Sequence, residues 1–224
     1  MSSITILTSS NHHLKNSFDE TKYKVLPVDP YDIESLSGND FADTEVILDF
    51  TCFPTDAKRD LIERLSDIYE GALLSDLTIN WVELFFNEAP NLHGAIAASF
   101  FSPSGSYEIA FPKEVSKELK EDFINLLSEV GLKTKEIKYP GICFNYPRII
   151  SQIINEAYFA KEENLASNED IDKAMLYGVN YPLGPFDWAS KIGLDKVALV
   201  LRELYQATGD NRYRMSRYIK ETII

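Results

Sequence analysis

Short β-branched runs and helical patterns take turns along the first part of this chain, and from Pro140 onward the strand-like runs stop. Ile4 to Thr8, Lys24 to Val28 and Glu45 to Phe50 read as strands, the third apolar on both faces as a central parallel strand is. Beyond Pro54 the period changes. Leu61, Ile62, Leu65, Ile68 and Tyr69 recur at helical spacing, with Gly71 placed to stop the helix. Ala72 to Leu74 and Ala95 to Phe101 read as further strands, Lys113 to Val130 as an amphipathic helix closed by Gly131, and Thr134 to Lys138 as a last strand. Strands alternating with helices build βαβ units and a largely parallel sheet.

After Pro140 the punctuation is helical. Pro147 suits a first turn, where its missing N–H costs nothing, and the stripe Ile149, Ile150, Ile153, Ile154, Ala157, Tyr158 runs on from it. Ser167 to Asp170 resembles a capping box opening a helix through Met175, with Gly178 closing it; Asp170 and Asp172 then stand where a helix dipole favours acids. Gly184-Pro185 opens another helix, ended by Gly193. Val197, Val200, Leu201, Leu204 and Tyr205 mark the next, as far as Gly209. The chain therefore divides near Tyr139-Pro140-Gly141 into an α/β domain with a mostly parallel sheet, residues 1–139, and an all-α domain, residues 140–224.

Charge and cysteine usage narrow the partners. A net charge of -13 argues against a nucleic-acid surface, which needs clustered Lys and Arg, while leaving room for a small anion at a local positive site. Cys52 and Cys143 sit in the apolar settings TCF and ICF without a CxxC or a Cys/His cluster. They read as buried thiols in a reducing cytoplasm, with no metal site. The start has no basic region followed by a long apolar stretch, and no apolar run approaches the roughly 18 residues of a membrane span. The expectation is a cytoplasmic protein with neither membrane nor nucleic acid as partner.

The segment NEAYFAKEENLASNEDIDKAMLYGVNYPLGPFDWASKIGLDKV, Asn155 to Val197, resembles the 3-hydroxyacyl-CoA dehydrogenases. It carries their NEA, then S-x-E-D-I-D-x-A-M, then G-x-x-x-P-x-G-P-F, then G-L-D. The resemblance implies a Rossmann-like NAD-binding domain over 1–139 and a helical dimerisation domain over 140–224. It also implies NAD as cofactor, an acyl-CoA ligand and a homodimer joined through the helical domain. The face Ile149, Ile150, Ile153, Ile154, Tyr158 and Phe159 agrees with the last point, being wider than the single stripe a surface helix needs.

Upstream, the chain departs from that family at each chemical position. The family opens strand–GxGxxG–helix, whose glycines let a pyrophosphate approach bare backbone at a helix N-terminus. This chain has no glycine before Gly38 and follows its first strand with SSNHHLKNSF. Asp29 stands where the ribose-binding acid would, although an Asp before Pro at a strand end is also a plain turn residue. The catalytic H-F-F-N-P falls on Ser99-Phe100-Phe101-Ser102-Pro103, putting Ser99 at the base and Ser102 at the Asn. In the family that His takes the hydroxyl proton as hydride leaves; a serine hydroxyl is far too weak a base at neutral pH. The carboxylate that orients the base falls on Phe111, with Glu108 three residues short.

The remaining polar positions match in part. Ser75, in LLSDLT, matches the family's S-N-T-S segment with Asp76 in place of Asn. Asn145, in PGICFNYPRI, matches its active-site Asn with a two-residue shift when counted back from Arg148; helix N-cap is the plainer role. His93, six residues before Ser99, needs a different geometry to serve as a substitute base. His12 and His13 occupy the place of the phosphate loop and read as exposed loop residues. The expectation is a divergent member tied to acyl-CoA metabolism, such as fatty acid or butanoate metabolism, with NAD-dependent hydride transfer impaired or lost and acyl-CoA binding kept. The alternatives are an active dehydrogenase using substitute residues, or a dimeric scaffold without a ligand.

Overall fold

Strand β1 (Ile4–Thr8) is buried along its whole length because it lies inside a seven-stranded sheet, between β2 (Lys24–Pro27) and β3 (Val46–Phe50). The computed structural model describes residues 4–222. The sheet continues through β4 (Ala72–Asp76), β5 (Leu92–Ile96), β6 (Ser106–Ala110) and β7 (Lys133–Glu136), in the order β2-β1-β3-β4-β5-β6-β7. Only the β5–β6 pairing is antiparallel, so the expected parallel sheet is present. Alternate side chains feed two cores. Leu7, Ile47 and Leu73 pack towards helices α1 (Thr55–Ile68) and α2 (Val82–Glu88), while Ile6, Leu48 and Leu74 pack towards α3 (Lys117–Glu129). Burial on both faces is what the apolar run of β3 announced.

The local structure corrects the sequence reading at several points. The segment read as a strand from Ala95 to Phe101 begins earlier, at Leu92, and stops at Ile96. Its parallel neighbour β4 ends at Asp76, so nothing continues the ladder on that side. Helix α1 ends at Ile68, before Gly71, and α3 begins after the N-cap Ser116, whose hydroxyl accepts from Leu119 N. Helix α2 and strand β6 had no clear pattern. Residues 9–23, between β1 and β2, make turns and no helix. Phe18 packs face to face on Phe50, 5.1 Å between ring centroids, covering a sheet face that a crossover helix normally shields.

Residues beyond 144 form α4 (Asn145–Glu162), α5 (Asn168–Gly178), α6 (Pro185–Ile192), α7 (Leu194–Thr208) and α8 (Arg217–Thr222). Ile150, Ile154 and Tyr158 of α4 bury against Val197, Val200, Leu201 and Leu204 of α7. Asn155 holds the C-terminal segment in place: its amide donates to Arg214 O and its carbonyl accepts from Ser216 N. Ser167 caps α5, which runs to Gly178 rather than Met175. Asp172 does more than complement its own helix. Its carboxylate accepts from Phe186 N and Asp187 N and so caps α6. The close approach requires glycine at 184, where any Cβ would collide with the Asp172 side chain. No helix of the described residues is long and apolar enough to cross a membrane.

The two parts are joined tightly. Val82 N donates to Gly141 O and Cys143 N to Asn80 O, and Cys52, Ile79 and Phe100 from the sheet side enter the helical core. That junction lies at the carboxyl edge of the parallel strands, where open α/β sheets present their ligand sites.

Candidate functional site

At the carboxyl end of β4, Asp76 is fully enclosed and collects four hydrogen bonds. Its Oδ2 meets His12 Nε2 at 3.0 Å and accepts from Ser99 Oγ at 2.7 Å; its Oδ1 accepts from Thr78 N and Thr78 Oγ1 at 2.8 and 2.5 Å. The Thr78 hydroxyl in turn accepts from Ser99 N. Burial alone would raise the Asp76 carboxyl, but the hydrogen bond and charge of His12 and the Thr78 hydroxyl hold it below the usual carboxylate range. Beside it, Cys52 is buried and its thiol is pushed up to about 11, chiefly by desolvation and then by Asp76. A thiol so placed is not a nucleophile at neutral pH.

One strand over, Asp49 of β3 binds Lys58 of α1 at 2.7 Å, both side chains without solvent contact. The Lys58 ammonium also donates to Thr51 O, Thr51 Oγ1 and Ser75 Oγ, and Ser75 donates to Asp49 at 2.5 Å. Every donor of the lysine has an acceptor, which is the condition for burying such a pair. The cluster ties α1 to two strand ends.

The crevice between β1 and β3, where the strand order reverses, is the place a dinucleotide occupies in sheets of this kind. Here it is laced shut. Ser9 Oγ accepts from Cys52 N at 3.0 Å and donates to Asn11 Oδ1 at 2.6 Å, and Asn11 Nδ2 donates to Cys52 O at 3.1 Å. His12 fills the space behind, stacked on His13 with ring centroids 5.1 Å apart. With no glycine, no helix N-terminus and side chains where bare backbone is required, these residues do not fit NAD.

The structure places the predicted residues as follows. Ser99 and Ser75 sit at neighbouring strand ends, each donating to a different buried carboxylate, Asp76 and Asp49. Asn145 is exposed and is not an N-cap: α4 starts at Asn145 itself, after Phe144 at φ 55°. The helix start is instead met by Glu108, whose Oε2 accepts from Asn145 N and Tyr146 N. Glu108 thus faces the helical domain rather than Ser99. His93 lies at the amino end of β5, on the opposite edge of the sheet from Ser99, with its Nδ1 accepting from Leu73 N. Asp29 is exposed and accepts from Tyr31 N, a turn contact. His13 is exposed as read, but His12 is not: its partner Asp76 draws it inside.

Sequence reasoning missed Asp49, Lys58 and the inward role of His12. A signal existed for the first two, since a lone Asp in an apolar strand followed by a Lys in the next helix is an arrangement that must pair when buried. His12 carried none, because its partner is 64 residues away.

Comparison with known proteins agrees with this architecture. The family model described as 3-hydroxyacyl-CoA dehydrogenase, C-terminal domain, matches residues 144–223. The 3-hydroxyadipyl-CoA dehydrogenase of Escherichia coli (strain K12) is 39% identical over 83 residues, 37% of this chain and 17% of that protein. A probable 3-hydroxybutyryl-CoA dehydrogenase of Deinococcus radiodurans is 27% identical over 193 residues, 82% of this chain and 68% of that protein. The chain thus spans very different shares of the curated relatives it matches. The crystal structure of (S)-3-hydroxybutyryl-CoA dehydrogenase PaaH1 from Ralstonia eutropha superposes with a TM-score of 0.67 at 20% identity, covering 98% of this chain and 93% of that one. That likeness bears on the fold alone.

Proposed function

We propose that the chain is a divergent member of the 3-hydroxyacyl-CoA dehydrogenase family whose NAD-dependent hydride transfer is lost and whose remaining role is binding an acyl-CoA. The observation that carries the reading is the closed crevice: Ser9, Asn11 and Cys52 hydrogen-bond across it, and His12 and Asp76 pair behind it. A pyrophosphate cannot approach that backbone without breaking those contacts. At the base position, the Ser99 hydroxyl donates its proton to the Asp76 carboxylate rather than to an imidazole.

A cavity of about 510 Å³ opens between the start of α1 and α7, with Arg59 and Arg202 among its walls and Trp81 beside them. Glu203, also in its wall, accepts from the Thr55 hydroxyl, and burial raises its carboxyl. Arg202 offers the positive charge a CoA phosphate needs in a protein of net charge -13, while Arg59 is already paired with Glu88 and Asp56. Assay of 3-hydroxybutyryl-CoA oxidation with NAD, with calorimetry on acetoacetyl-CoA alone, tests the proposal. The expected result is turnover at least about 100-fold below a competent enzyme, the low end of general-base catalysis, with measurable acetoacetyl-CoA binding. Robust turnover selects an active dehydrogenase with substitute residues. Silence in both assays selects a ligand-free scaffold.

The assembly proposed is a homodimer through the helical domain. Helix α5 has no buried residue, and Ile149, Leu165, Tyr177 and Val179 of α4, α5 and their flanks are 56, 67, 84 and 54% exposed. A two-fold axis, the commonest closed symmetry, would cover such residues with their own copies.

A further inference from the structure

We draw no further inference here: the strongest candidate, the buried Lys196 side chain in the first turn of α7, already donates to Ile192 O, the last carbonyl of α6, and lies outside the wall of the cavity between α1 and α7.

Discussion

His12 and Asp76, 64 residues apart in the chain, meet at 3.0 Å in the interior beyond the carboxyl end of the sheet. The first comes from the loop that should cradle a phosphate and the second from a strand end that should border a substrate. Their pairing puts side chains beside the place where sheets of this kind hold a dinucleotide.

Replacing Asp76 with Asn should therefore cost stability, not only activity. It strips the charge that His12 is paired with and weakens the acceptors of Ser99 and Thr78. Breaking a buried pair from one side costs about 3–5 kcal/mol, so the urea midpoint should fall clearly while the m-value holds. An unchanged midpoint would show that the pair does not support the fold.

Acid stability follows from the same group. The Asp76 carboxyl is held low in the folded protein, against its burial, by His12 and Thr78. A depressed folded value gives stability that is complete above the unfolded value, about 3.9, and lost as pH falls through the folded one. Urea unfolding followed from neutral pH to below about pH 4 should show this loss in the native protein and a shallower one in Asp76→Asn. Equal slopes in both would assign the acid sensitivity elsewhere.

The Asp49–Lys58 pair makes a matching prediction at the next strand. Lys58→Met strands a buried carboxylate and should destabilise by about 3–5 kcal/mol, whereas adding Asp49→Leu should recover much of the loss. If the double variant is no better than the single one, the pair is not acting as a unit.

Assembly is tested on α4. Ile153, part of the wide apolar face read from sequence, packs against the helical core, so a charge there would disturb folding as much as association. Ile149 is the cleaner site. Light scattering after size exclusion should give about 51 kDa, twice the 25.5 kDa chain, and Ile149→Asp should shift it towards the monomer. A native mass of 25.5 kDa would exclude the dimer.

The helical domain was legible because its signals are local. Ser167 caps the residue three places on, Gly193 and Gly209 take positive φ at helix ends, and Gly184-Pro185 marks a helix start within two residues. The parallel sheet was legible because its central strands, β1, β3 and β4, are buried on both faces. Strand β6 and helix α2 were not, being short and without a clean period, and β6 depends on pairing with β5 and β7. The site was half legible. Absence of the glycines and of the base could be read directly from the residues. What replaced them could not, because the contacts of His12 with Asp76, Asn11 with Cys52 and Glu108 with α4 join segments that no local pattern links.

Titrating the native chain with NADH in a calorimeter asks whether the side chains of Ser9, Asn11 and Cys52 have closed the dinucleotide crevice. No saturable heat is expected at concentrations that saturate a working dehydrogenase. Stoichiometric binding with a dissociation constant in the low micromolar range would contradict it, because a pyrophosphate could then displace the Ser9, Asn11 and Cys52 contacts at little cost.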